Sequence, residues 1–101
     1  MTNKIVRYGK VAVFYSPEYG SGWSTENDDP WYVFGDAKLL ELVVTKDYDG
    51  IYDYAEQLFP KGWNAGFFSL KVDWVDEGSL FYIYEYDGHE VLVQQHELHK
   101  A

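Results

Sequence analysis

The C-terminal third of the chain constrains the fold most. Leu80 to Tyr86 and Val91 to Val93 are β-branched and aromatic runs on either side of Asp87-Gly88. That dipeptide favours the positive φ values of a two-residue type I′ turn, so the segment reads as a hairpin. Upstream, Leu70, Val72 and Trp74 alternate with Lys71 and Asp73, the period-two pattern of a strand. Asp76-Glu77-Gly78 supplies the turn between them. Three antiparallel strands in succession are expected here.

The remainder is mixed. Val11 to Tyr15, preceded by Gly9, is a near-continuous apolar run, which predicts a central strand buried on both faces. Asp36 stands where a helix N-cap belongs, ahead of Leu39, Leu40, Val43 and Val44 at helical spacing. A second helix is expected from Tyr48 or Asp49, with Ile51, Tyr54, Ala55 and Leu58 as its apolar stripe and Pro60 past its end; Gly50 weakens its first turn. The order β-α-α-β-β-β predicts one α+β domain over residues 1–101, an antiparallel sheet of about four strands with two short helices on one face. Gln94 to Ala101 reads as a polar tail.

Composition narrows the function classes. At 20% aromatic residues the chain has ample material to bury, so disorder is not expected, and no apolar run is long enough to predict a membrane span. No cysteine means no disulfide framework and no thiolate ligand. Met1-Thr2-Asn3-Lys4 does not resemble a signal peptide, which points to the cytoplasm. The net charge of −9 repels phosphate backbones and anionic lipid, so direct nucleic-acid or membrane binding is not expected. The same charge attracts a basic protein surface.

Val11-Ala12-Val13-Phe14-Tyr15-Ser16-Pro17-Glu18-Tyr19-Gly20-Ser21-Gly22-Trp23 resembles the opening of a group of short reading frames in tailed bacteriophages and prophages, which carry Val-Ala-Val-x-Tyr-Ser-Pro-x-x-Gly-x-Gly-Trp. Their later pattern is similar to Val72-Asp73-Trp74-Val75 through Gly78 and to Glu85-Tyr86-Asp87-Gly88, and Leu39 to Val43 fits between. The resemblance implies context, a small phage-type accessory protein in the bacterial cytoplasm, and carries no activity with it. Small acidic phage proteins often bind host machinery, so the expected role is to bind and inhibit a host or defence component, in the anti-CRISPR or other anti-defence manner.

Two loops pair glycines with aromatics. In the first, Tyr15, Ser16, Tyr19, Gly20, Gly22 and Trp23 combine flat rings with a backbone whose N–H groups can meet an anion. In the second, Trp63 and Asn64 lie between Gly62 and Gly66. Convergence of the two would make a single binding site. Tyr82, Tyr84 and Tyr86 share one strand face, an aromatic platform or a homodimer contact. Asp47, Asp49, Asp53 and Glu56 form a candidate acidic surface. The leading expectation is a bacterial host protein with a basic surface as partner. The alternative is a nucleotide-like small ligand, stacked on Tyr19 and Trp23 with Arg7, Lys10, Lys61 or Lys71 near its phosphate. The absence of Lys-Ser or Lys-Thr after the glycines excludes a P-loop. No catalytic residue, metal or cofactor is expected, since His96-Glu97-Leu98-His99 is not a metalloprotease motif. Only Asp73 with Glu85, if they meet across neighbouring strands, would support a small hydrolase.

Overall fold

A computed structural model describes residues 4–18 and 22–94. Val6–Arg7 (β1) and Lys10–Tyr15 (β2) form a hairpin whose turn residues Tyr8 and Gly9 both have positive φ. Lys71–Asp76 (β3) pairs antiparallel with the other side of β2, from Lys10↔Asp76 to Tyr15↔Lys71. β2 is therefore central, and Val11 to Tyr15 are all buried, as a continuous apolar run requires.

Three helices lie between β2 and β3: Trp31–Phe34 (α1), Ala37–Val44 (α2) and Tyr48–Leu58 (α3). The Asp36 carboxylate accepts from Leu39 N at 2.9 Å and caps α2, and its second oxygen accepts from the Tyr54 hydroxyl of α3. One residue thus starts one helix and ties it to the next. Asp47 caps α3, accepting from Gly50 N at 3.0 Å, which offsets the weak helical propensity of that glycine. Leu39, Leu40 and Val43 of α2 and Ile51 and Ala55 of α3 join Ala12 and Phe14 of β2 in one core with Trp23, Tyr32, Phe59 and Leu70. Each fully buried large apolar side chain among them contributes roughly 1.5–3 kcal/mol.

The protein is of the α+β class, with its strands divided between two sheets. Among the described residues, Phe81–Tyr86 (β4) and His89–Gln94 (β5) pair only with each other, through the turn at Asp87-Gly88. The expected single sheet of about four strands is corrected on this point. Glu77 N donates to Gly9 O at 2.9 Å, which extends the β2–β3 pairing by one residue, while the β4–β5 hairpin is held at the other end of β2, where Glu90 N donates to Ser16 O at 2.9 Å. β1, α1 and the two 3-10 turns, Ser24–Glu26 and Ala65–Ser69, have no counterpart in the expected order. Residues 95–101, including the His96-Glu97-Leu98-His99 segment, lie outside the described residues. Among the described residues no helix is long and apolar enough to cross a membrane.

Candidate functional site

The two Gly-aromatic loops do converge, and the contacts that join them are polar. The Asn27 side chain donates to Trp23 O at 2.6 Å and Trp63 O at 2.9 Å, and accepts from Trp63 N at 2.7 Å. The Tyr32 hydroxyl donates to Asn64 Oδ1 at 2.7 Å, while Asn64 Nδ2 donates to Glu56 Oε2 and to Phe59 O. The hydroxyls of Ser16 and Ser69 share a hydrogen bond. Gly66 lies so close to Gly22 that a Cβ there would sit 2.0 Å from the Gly22 carbonyl oxygen. A side chain at position 66 would push the loops apart.

The first loop is organised by a residue outside both loops, which the expected site residues did not include. Glu90 of β5 is fully buried. Its Oε1 accepts from Ser16 N at 2.8 Å, and its Oε2 accepts from Trp23 N at 2.8 Å, Thr25 N at 3.0 Å and Thr25 Oγ1 at 2.6 Å. Glu90 N in turn donates to Ser16 O at 2.9 Å. The N–H groups expected to meet an external anion thus meet the chain's own carboxylate. Strand parity could have found it, because Glu90 shares the face of Leu92 rather than that of Val91 and Val93.

Several candidate residues are structural. Trp23 is 0% exposed, packed edge-on against Tyr32 with Nε1 donating to Tyr32 O at 2.8 Å, so its ring offers no open face. Ser16 and Asn64 are buried and hydrogen-bonded as above. Tyr15 is buried with its hydroxyl on Asp73; burial first, then that bond and charge, raises its pKa well above the ordinary phenol value. Tyr32 is pushed up to about 12 by burial, then by the charges of Asp29 and Glu56. Tyr54 reaches about 12 through burial, then its bond to Asp36. Gly22 has positive φ. Tyr19 and Gly20 lie outside the described residues.

A cleft of ≈550 Å³ stays open where the loops meet. Glu26, Asp28 and Asp29 line one side, Pro60, Lys61 and Trp63 the other. The three carboxylate residues are exposed, and Trp63 is 53% exposed, the most open of the described tryptophans. The Asp29 carboxylate also accepts from Trp31 N at 2.9 Å, just ahead of α1. Of the second acidic set, Asp47 is engaged as a cap and Glu56 with Asn64, while Asp49 and Asp53 are exposed on α3. Arg7 and Lys10 stand at the far end of β2 from Ser16, and Lys10 pairs with Asp76 at 3.6 Å. Lys71, by contrast, stands opposite Tyr15 and lines a second cavity, of ≈420 Å³, with Pro17, Glu18 and Lys46 at the start of the first loop.

Asp73 and Glu85 do not meet across paired strands, because β3 and β4 belong to different sheets. Glu85 stands opposite Glu90 instead, and the two carboxylates turn apart: Glu85 accepts from Gly88 N at 2.6 Å. Tyr82, Tyr84 and Tyr86 are 50%, 52% and 62% exposed. Among the described residues no group of three or more His, Cys, Asp or Glu is placed to hold a metal ion. Comparison with protein-family models, curated proteins and solved structures returns no match.

Proposed function

We propose that this chain is a non-catalytic binding protein of the phage accessory type. It receives a basic surface of a bacterial host or defence protein in its acidic aromatic cleft and inhibits that protein by occupying the surface. The observation that supports this reading is the cleft itself, with Glu26, Asp28 and Asp29 facing Trp63 across ≈550 Å³. A guanidinium can stack on an indole while pairing with carboxylates, and the net charge of −9 steers such a partner inward. Exposed ion pairs contribute only about 0.2–1 kcal/mol each, so a useful affinity needs several of them together with the indole contact. The nucleotide-like reading has less to stand on. The Trp23 ring is closed off, and the loop N–H groups of Ser16, Trp23 and Thr25 are occupied by Glu90.

The test is capture from bacterial lysate with the wild-type chain and with Glu26→Gln/Asp28→Asn/Trp63→Ala. All three positions are exposed, and the Trp63 bonds to Asn27 run through the backbone; circular dichroism checks that the variant is folded. A basic protein held by the wild type, released by about 0.5 M salt and lost in the variant is the expected result. Equal capture by both chains removes the cleft from the mechanism.

A further inference from the structure

Among the described residues, the two-stranded sheet has one strand edge without a partner. In a two-residue turn the first flanking carbonyl accepts from the last flanking N–H, so Tyr86 and His89 form a hydrogen-bonded pair. Antiparallel ladders alternate. With Tyr84↔Val91 and Tyr82↔Val93 in register, the three tyrosines direct their backbone groups to β5, and Phe81, Ile83 and Glu85 direct theirs outward. The same parity sends Glu90 N outward from β5, and that group is found on Ser16 O at 2.9 Å. The β5 edge is thus docked on the end of β2. Among the described residues, the outward backbone groups of β4 have no such partner.

Exposed edges are ordinarily guarded by Lys, Pro or a bulge. Phe81-Tyr82-Ile83-Tyr84-Glu85-Tyr86 has neither Lys nor Pro, and its one charge, Glu85, is folded back onto Gly88 N. β3, by contrast, carries Lys71, Asp73 and Asp76, and β1 is two residues long.

We infer that β4 is the contact between two copies of this chain, pairing antiparallel about a two-fold axis at Ile83 to give a sheet ordered β5-β4-β4-β5. The edge is self-complementary. The outward residues Phe81, Ile83 and Glu85 are spaced evenly about Ile83, so Ile83 faces Ile83, Phe81 faces Glu85 and Tyr82 faces Tyr84 of the second copy. The half-exposed tyrosines then meet across the axis. The two Glu85 residues lie four positions apart along the strand, about 13 Å, beyond the screening length of about 10 Å at 0.1 M salt. For a chain of net charge −9, this is a contact that opposes no like charges directly. The inference is independent of the acidic cleft, and its salt dependence has the opposite sign: two −9 chains associate more tightly as salt rises.

Sedimentation from about 1 μM to about 1 mM protein, at low and high salt, tests it. The expected species has twice the 11.8 kDa chain mass and is favoured by salt. Tyr82→Lys/Tyr84→Lys and Tyr82→Glu/Tyr84→Glu each weaken association at least tenfold, and an equimolar mixture of the two restores it, because position 82 faces position 84. Circular dichroism confirms that each variant is folded. In the dimer the amides of Phe81, Ile83 and Glu85 exchange slowly, and dilution releases them. A chain that stays monomeric throughout overturns the inference. So does a dimer indifferent to the charge swap, or protection of those amides only when a captured foreign protein is added.

Discussion

Glu90 is the residue whose replacement is most informative. Its carboxylate is fully buried and accepts from the N–H groups of Ser16, Trp23 and Thr25 and from the Thr25 hydroxyl. In Glu90→Ala the three N–H groups lose their acceptor, at a cost of about 1–3 kcal/mol each, before water and loop relaxation recover part of it. Loss of one partner from a buried charged network costs about 3–5 kcal/mol, which is the expected net effect. That is a large share of a typical total of about 5–15 kcal/mol. Glu90→Gln keeps one oxygen for the Trp23 and Thr25 donors but turns an amide NH2 toward Ser16 N, so a loss of about 2 kcal/mol is expected. Urea unfolding read by tryptophan fluorescence gives the magnitudes, and amide exchange at Ser16, Trp23 and Thr25 shows whether the loop opens ahead of the core. A loss under about 1 kcal/mol in Glu90→Ala, with those amides still protected, would refute the role assigned to Glu90.

Other expectations follow from the same contacts. Gly66→Ala places a Cβ 2.0 Å from Gly22 O, so the loops must separate; a loss of about 3 kcal/mol in urea and a blue-to-red shift of the Trp23 emission are expected. Asn64→Ala strips the Tyr32 hydroxyl of its acceptor and Phe59 O of a donor, and about 2–3 kcal/mol is expected in the same assay. Asp36→Ala removes both the α2 cap and the acceptor for Tyr54, for about 2 kcal/mol. Tyr15, Tyr32 and Tyr54 have raised folded-state values, so their contribution is fully present below pH 10 and is lost as pH rises through the folded values, about 12 for Tyr32 and Tyr54. Melting temperature should hold to about pH 9 and fall above pH 10, and tyrosinate absorbance of the folded chain should show three late-titrating residues. Uniform titration near pH 10 in a still-folded chain would contradict this.

The elements with regular local chemistry were legible. The Asp36 cap, the apolar spacing of Ala37–Val44 and the Asp87-Gly88 turn each specify their structure within a few residues. The apolar continuity of Val11 to Tyr15 marked the central strand. The division into two sheets was not legible, because the β4–β5 hairpin is held by Glu90 on Ser16, a contact between distant segments that neither segment's own pattern announces. The site was half visible. Gly22, Gly62 and Gly66 with their aromatic neighbours marked the loops that meet, but the ring of Trp23 turned inward while that of Trp63 stayed out. Spacing alone does not distinguish two tryptophans in similar Gly-rich settings. Asn27, which links both loops, stands among acidic residues that read simply as surface.

The most direct measurement of the proposed function is an NMR titration of the isotope-labelled chain with the captured basic partner, at several salt concentrations. The expected result is early shifts at the amides of Glu26, Asn27, Asp28 and Asp29 and at the Trp63 indole, with affinity falling about tenfold between about 50 and about 300 mM salt. Shifts confined to other surfaces, or an affinity indifferent to salt, would contradict docking in the acidic cleft.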